Sequence, residues 1–541
     1  MMPETKPEVT PELTAQVSPE IPAQPQPEII PETLPPAVPR TRWQRFLHWE
    51  FLGLAIIVLV TLIFHFVAIM RPPTIVWDEV WYVGDARSIV SGTGELRPEH
   101  PPLAKLFIVA GEYIFNGFQA PTHDTGAKIK YMVGNNEAND NVISVTEASL
   151  FKIGDTIRVG QEQMDINGID ISSNQLTVKR NAGGSGTWDH NPNDPIYVFT
   201  DNAFGWRFFS IIFGTIGIII FYFVCRKLKL SWKTSMLATF FFAFEDMTFL
   251  HSGLALLDIY MVTFMLAAVL MYLDEKYIWS GVFIALSADC KLAGALIFAA
   301  IFIHWAIYRK DKWKMMVGLI IAATIAFVIC LLFCDFFIKG GLENPITRIN
   351  SMLGSTGANV FTPNAANPSP KLSISSRPWT WIYPQFIALK NEYNAPFIVY
   401  SYDPQYISFI STTIQILIIP TIGYMIYKAI WKKNQTAGLI LLWFLGTYLL
   451  WIPGDILTNR VTFVFYFLST TPAICIGIAW ALSDWLDKLK SRRLVTNRIT
   501  PLQRTGYITI GAYLLIHLAI FIVFNPAVPT IIKTWLPPFS T

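Results

Sequence analysis

Charge is scarce in this chain: only 15% of its 541 residues are Asp, Glu, Lys or Arg, against 52% that are hydrophobic, and mean hydropathy is +0.41. That balance excludes an ordinary soluble domain and reads as a membrane protein. The formal net charge is only +3, and the basic residues fall in short loops rather than one patch, so nothing in the chain is suited to nucleic acid. Cysteine is sparse as well. Cys225, Cys290, Cys330, Cys334 and Cys475 all lie in apolar runs and read as small buried hydrophobes, not as a disulfide framework or metal site. The chain has no P-loop, dinucleotide glycine fingerprint, Ser-nucleophile elbow or His-Glu-x-x-His pair, so the chemistries those motifs serve have no support. No internal repeat is evident, which weighs against a transporter built from paired halves.

What the chain has is apolar length. Segments of about 20 residues suffice to cross a bilayer, and candidates are 51–70, 205–225, 234–251, 256–273, 315–337, 407–427, 436–452, 462–483 and 506–524. The aromatic content of 14%, with 18 Trp, suits helix ends at headgroup level. Basic clusters orient the spans: Arg40, Arg42 and Arg45; Arg226, Lys227, Lys229 and Lys233; Arg309, Lys310, Lys312 and Lys314; Lys428, Lys432 and Lys433; and the loop 488–504 with Lys488, Lys490, Arg492, Arg493, Arg498 and Arg504. All can be cytoplasmic only if residues 277–308 leave and return, turning near Ser287 to Lys291. The expected architecture is a polytopic α-helical membrane protein of about 11 transmembrane helices, N-terminus inside.

The rest divides by composition. Residues 1–45 are a Pro/Glu-rich segment read as a disordered cytoplasmic tail and not as a signal peptide. Residues 46–120 hold the first span and an outer loop whose stretch Leu103 to Phe118 suits an interfacial helix. Residues 121–200 are different material: β-forming runs at 142–145, 156–159, 164–167, 176–179 and 196–199 separated by turn signals predict a small all-β domain inserted in that loop. The remaining spans fill 201–541.

The chemistry-bearing residues gather in the outer loops. Asp78 and Glu79 follow the first span closely and are flanked by Trp77, Trp81 and Tyr82. Taken alone, such a pair is more often a solvated loop feature. Asp258, however, sits at the end of an otherwise apolar span, where an ionisable group is costly and usually paired or functional. His100 and Lys105 share the first loop, with two prolines fixing the backbone between them. Arg207, Lys291, Arg377 and Arg460 are the cations placed to hold a phosphate, although Arg207 or Lys291 alone could equally be a snorkelling side chain. No metal-ligand spacing is present.

In this order, Asp78-Glu79, His100-Pro101-Pro102-Leu103-x-Lys105, Trp206-Arg207, Ser252 with Leu256-Leu257-Asp258, Lys291-x-x-Gly294, Ser375-Ser376-x-Pro378-Trp379-x-Trp381 and Arg460-x-x-Phe463-x-x-Tyr466 resemble the protein O-mannosyltransferases, enzymes of the GT-C fold. The resemblance runs from residue 50 to the end, apart from the β insert. There are departures: Ala104 stands where the family has Gly, Gly253 where it has Arg, Ile382 where it has Pro, and the outer-loop β-trefoil of the eukaryotic enzymes is missing. These point to a prokaryotic, archaeal-type branch, with the enzyme in the plasma membrane and its site extracytoplasmic.

The resemblance implies transfer of mannose or a related hexose from a dolichyl or polyprenyl phosphate to Ser/Thr hydroxyls of proteins, with inversion. Asp78 is then the base and Glu79 orients the acceptor. His100, Lys105, Arg207, Asp258, Lys291, Arg377 and Arg460 hold the donor, and Trp77, Trp81, Trp379 and Trp381 lie on the acceptor side. A related enzyme acting on a lipid or glycan acceptor remains open. So do the need for a divalent metal and the formation of a dimer.

Overall fold

The computed structural model describes residues 49–137, 139–357, 376–382, 398–400, 406–491 and 499–525. The expected tail 1–45, Ser375 and the basic residues Arg492, Arg493 and Arg498 lie outside them. The chain enters on α1 (Trp49–Ala68), continues through α2 (Glu79–Val90) and α3 (Leu103–Phe115), and passes into a sheet. Then follow α4 (Ala203–Lys227), α5 (Trp232–Ala243), α6 (Asp246–Gly253), α7 (Asp258–Leu273), α8 (Tyr277–Cys290), α9 (Leu296–Tyr308), α10 (Trp313–Lys339) and α11 (Pro345–Gly357). The last helices are α12 (Thr412–Ile426), α13 (Gln435–Phe444), α14 (Trp451–Thr458), α15 (Thr471–Ser491) and α16 (Pro501–Phe524).

Among the described residues six helices are long and apolar enough to cross a membrane, and a seventh arises if α6 and α7, bent by 112° at their junction, are taken as one span. This is an integral membrane protein. Eleven crossings would require α5, α7, α8, α9 and α15 to cross individually as well. α8 and α9 are shorter apolar helices with the break at Lys291, where the charge pattern asks for a turn. At 1.5 Å per residue each rises only about 20 Å, less than the ~30 Å hydrocarbon core. α7 is buried on nearly every side from Ile259 to Val269, the signature of a central helix.

The insert is one antiparallel sheet of six strands, β1 (Thr122–Lys128), β2 (Val142–Ser144), β3 (Thr156–Val159), β4 (Glu162–Asp170), β5 (Gln175–Lys179) and β6 (Pro195–Phe199), in the order β1-β6-β3-β4-β5-β2. Ile143, Ile157, Val159, Met164, Ile166, Leu176, Val178 and Ile196 form its own core. Each such buried side chain contributes about 1.5–3 kcal/mol. A buried ion cluster closes one side: Arg180 grips Glu162 at 2.6 and 2.7 Å, and His190 adds a contact at 2.8 Å. Burial works against the Glu162 charge, but these partners and the Trp188 amide hold its pKa down to about 2. β1 carries no β-forming run; pairing with β6, Thr122 opposite Phe199, makes it a strand.

The sheet is docked on α2 rather than suspended above it. A Cβ on Gly84 would stand 2.8 Å from the Gly183 Cα, and Gly183 has a left-handed φ of 62°. Only glycine on both sides allows that approach. Around it Gln163 Nε2 donates to the Gly84 carbonyl (3.0 Å) and to Ser88 Oγ (3.2 Å), and Arg97 Nη1 donates to the Gly183 carbonyl (2.8 Å). Arg87 pairs with Asp201 at 2.9 and 3.0 Å and donates to Thr156 Oγ1 at 3.1 Å. Sandwiched in this way, α2 is buried continuously from Tyr82 to Ser88, which explains why a helix with polar Asp85, Arg87 and Ser88 has no solvent face there.

Candidate active site

Asp78 and Glu79 are neighbours in sequence and separate in space. Trp77 before them has a φ of 51°, a left-handed conformation that costs a bulky residue roughly 1–3 kcal/mol. Edge contacts of its indole with Phe465 (5.1 Å) and His251 (5.9 Å) hold it there. Asp78 then occupies the N-cap of α2, but its side chain does not cap the helix. Glu79 opens the first turn and points into the protein.

Glu79 is fully buried and meets Arg207, also fully buried, in a two-pronged pair of 2.7 and 2.6 Å. Its Oε2 also accepts the Val76 amide and its Oε1 the Ala255 amide, both at 2.9 Å. Arg207 donates further to the carbonyls of Ile69 (2.9 Å), Pro72 (2.8 Å) and Thr74 (3.0 Å). A guanidinium has five N–H groups, and these contacts use all of them. Asn202, capping α4 through the Phe204 and Gly205 amides, sets Arg207 at that depth. The pair thus joins the chain after α1, the start of α2, α4, and the 254–257 break before α7. The structure therefore pairs with each other the two residues that the sequence assigns to acceptor and donor.

The other carboxylate lies in a different setting. Asp258, at the start of α7, pairs with Lys291 Nζ at 2.8 and 2.9 Å, and Lys291 lies 4.9 Å from the ring centre of Phe465 and 5.3 Å from that of Tyr466. His251 Nδ1 is 3.8 Å from Asp258 Oδ2, and neither ring nitrogen has a hydrogen-bond partner among the described residues. Burial raises the Asp78 pKa to about 7, with Asp258 adding to the rise while Lys291 and Arg97 oppose it. His100, against the Tyr82 ring at 5.9 Å, is held well below its ordinary value by burial and then by Lys291, Lys105, Arg460 and Arg97. It is neutral in a positive field. Arg460 contributes to that field with a buried Nε that has no hydrogen-bond partner among the described residues. Asp78, His100, Asp258, Lys291 and Arg460 therefore share one electrostatic neighbourhood.

Other expected residues have partners within the protein. Lys105 is fully buried between Asp85 (2.9 Å) and Glu95 (3.1 Å). Arg377 grips Asp455 at 2.8 and 2.9 Å and Asn459 at 3.0 Å. Trp381 is fully buried, its indole donating to Ser376 Oγ at 2.9 Å. Trp81 and Trp379 are exposed, each beside an arginine: Arg97 lies 3.9 Å over Trp81 and Arg377 5.8 Å over Trp379. The reading from sequence left out His251 and Arg97. His251 has a sequence signal, since it directly precedes Ser252 of the motif; Arg97 has none, because only its stacking on Trp81 and its bond to the insert bring it near. Among the described residues no group of three or more His, Cys, Asp or Glu side chains is arranged to hold a metal.

Residues 177–342 match the family model described as dolichyl-phosphate-mannose-protein mannosyltransferase. That stretch contains Arg207, Asp258 and Lys291, and over it the resemblance read from the motifs holds. No curated protein matches the chain. Among solved structures, the Saccharomyces cerevisiae protein O-mannosyltransferase Pmt1-Pmt2 complex bound to the sugar donor is similar at 12% identity and a TM-score of 0.47, covering 90% of this chain and 92% of that one. ArnT from Cupriavidus metallidurans bound to undecaprenyl phosphate is similar at 11% identity and a TM-score of 0.44, covering 87% and 70%. The Archaeoglobus fulgidus oligosaccharyltransferase AglB, in complex with an inhibitory peptide and a dolichol-phosphate, is similar at 12% identity and a TM-score of 0.43, and there this chain spans 55% of the other's length and 89% of its own is covered.

Proposed function

We propose that the protein transfers a hexose, mannose in the first instance, from a polyprenyl or dolichyl phosphate to Ser or Thr hydroxyls of polypeptides on the extracytoplasmic side of the membrane. The observation that carries this reading is the separation of the two adjacent carboxylates: Glu79 is locked to Arg207, while Asp78 does not cap its helix, feels the charges of Lys291 and Asp258, and is raised by burial to a pKa of about 7. A hydroxyl acceptor needs a base whose pKa lies near the working pH, and Asp78 meets that need. In the proposed step the acceptor oxygen attacks the anomeric carbon and its proton passes to Asp78. The bond from that carbon to the phosphate oxygen breaks on the opposite face, and the electron pair leaves with the lipid phosphate, inverting the centre. Lys291 and Arg460, with neutral His100 as a hydrogen-bonding group, stabilise the charge on the departing phosphate. The leaving group is already anionic, so no second acid is required. Glu79 and Arg207 act at one remove, fixing the start of α2 and the break before α7 so that Asp78 and Asp258 face the same space.

The test offers purified enzyme a polyprenyl-phosphate mannose with either an unstructured Ser/Thr peptide or a lipid acceptor. Sugar on the peptide supports the reading, and sugar on the lipid alone overturns it. The side of the membrane has its own test. Cysteine probes at Lys229 and Lys312 should be shielded from impermeant reagent in intact cells while a probe at Asn136 labels. Labelling at Lys312 would mean that residues 277–308 cross once, which removes Lys291 from the proposed site.

A further inference from the structure

A cavity of about 220 Å³ lies at the far end of the helices from Asp258 and Lys291. α7 starts at Asp258, and its 16 residues rise roughly 24 Å to Leu273, which lines the cavity. Three candidate membrane spans end or begin there. One ends at Lys227 on the cavity wall, one begins at Lys310 beside the lining residue Arg309, and one begins at the lining residue Gln435. The cavity therefore sits at headgroup level. Its charged lining is of one sign: Lys227, Lys229 and Arg309, with no Asp or Glu.

Basic residues gather at the cytoplasmic ends of membrane helices in general, so sign alone assigns nothing. Pairing does. Cations of the neighbouring turns are matched: Arg226 with Glu50 (2.9 Å), Lys428 with Asp484 (2.5 Å), Lys312 with Glu275, and Lys227 with Asp274. Lys229 and Arg309 have no carboxylate partner among the described residues. Both reach solvent, Lys229 exposed and Arg309 half-buried, so their N–H groups are open to a bound anion. Lys229 holds a left-handed φ of 62° just after α4, a position where glycine is usual, so a cation is kept there at a cost in backbone energy. Arg309 is positioned without being used up. Its guanidinium lies 5.1 Å from the centre of the Tyr272 ring and gives one N–H to the Tyr272 carbonyl at 3.4 Å. The Tyr272 hydroxyl is itself bonded to buried His304 at 2.7 Å. The other four of the five guanidinium N–H groups have no partner among the described residues, whereas Arg207 uses all of its own. An oxyanion with several acceptor oxygens satisfies such a pair of cations. The cavity is smaller than the roughly 300–1,000 Å³ of drug-sized ligand sites, which fits one small anionic group rather than a nucleotide. The anion abundant at headgroup level is phosphate. We infer that this cavity binds a phosphate group, from an anionic phospholipid or free in solution. The site lies outside the proposed reaction and does not depend on the acceptor. An occupied cavity holds together the far ends of α4 and α7, the helices that carry Arg207 and Asp258.

The experiment titrates purified full-length enzyme in a neutral detergent with phosphatidylglycerol, phosphatidylcholine or inorganic phosphate. It reads the ligand-induced rise in the unfolding midpoint and, by native mass spectrometry, the lipid bound. The variants are Lys229→Gln and Arg309→Gln, singly and together, and a control pair, Lys233→Gln with Lys314→Gln, which removes as much charge from helix ends outside the cavity wall. In the wild type phosphatidylglycerol should raise the midpoint more than phosphatidylcholine does. Each cavity substitution should weaken phosphatidylglycerol binding roughly five-fold and the two together roughly 25-fold, the effect of one and two basic residues at a membrane surface. The control pair should leave binding unchanged. A rise with inorganic phosphate alone, lost in the double cavity variant, would support the phosphate site and give it to free phosphate. Equal weakening in the control and cavity pairs would reduce the effect to general surface attraction, and no rise with either phosphatidylglycerol or inorganic phosphate would leave no anion site. Either of these last results overturns the inference.

Discussion

Two buried charge clusters lie one residue apart in sequence and differ in what they leave open. Around Glu79 every donor and acceptor is matched: the carboxylate receives Arg207 and two amides, and the guanidinium gives its remaining N–H groups to three carbonyls. Around Asp78 matching is partial. The carboxylate does not cap its helix, and among the described residues His251 has no partner for either ring nitrogen and Arg460 none for its buried Nε. A closed cluster stores no capacity for a ligand, because any new contact must break an existing one in a low dielectric. An open one costs free energy until a ligand fills it. Closure reads as architecture and openness as chemistry, and the contrast can be broken by experiment.

The largest effect is expected at Asp78. Asp78→Asn should lower sugar transfer by about 10²- to 10⁴-fold with no change in thermal unfolding in detergent; near-normal turnover would remove the base from the mechanism. Arg207→Ala should do the reverse in kind, since removing one partner of a buried pair costs about 3–5 kcal/mol. Its signature is a lower unfolding midpoint or lost folded protein, and a stable Arg207→Ala defective only in donor use would erase the contrast between the clusters. Arg460→Ala should leave the midpoint alone and cost roughly ten- to hundred-fold in kcat/KM for the donor.

Smaller effects sharpen the comparison. Gly183→Ala puts a side chain at a left-handed φ and 2.9 Å from the Gly84 Cα, so the insert must shift against α2. Strain of about 1–3 kcal/mol follows, with kcat falling more than donor KM rises, because α2 begins next to Asp78. Equal changes in both constants would detach the insert from the catalytic helix. The smallest effect is in pH. A base works only when deprotonated, so kcat/KM should climb with pH through an apparent pKa near 7 and level off above it. Asp258 raises the Asp78 value, so Asp258→Asn should move that limb to lower pH. Lys291 lowers it, so Lys291→Gln should move the limb to higher pH. A limb that stays put in both variants would belong to some other group.

Much of the architecture was legible because its causes are local. Apolar runs long enough for a bilayer announce α1, α4, α10 and α16, and the β-forming runs at 142–145, 156–159, 176–179 and 196–199 coincide with strands. β1 was illegible, since Thr-His-Asp-Thr-Gly-Ala-Lys becomes a strand only by pairing with β6 some seventy residues later. The same limit applies to the site. The residue types were visible in Asp78, Asp258, Lys291 and Arg460, but which cation faces which anion depends on distance in space.

By itself the sequence determined that the chain lives in a membrane, where the β insert sits, and which charged residues are costly enough to need a reason, because composition and spacing alone settle these. Only the tertiary structure decided which of two adjacent carboxylates is locked in an ion pair. Glu79 finds Arg207 from 128 positions away and Asp78 does not. Hydrogen-bond matching is a property of atoms within about 3 Å of each other, and nothing in the order of residues along the chain records it.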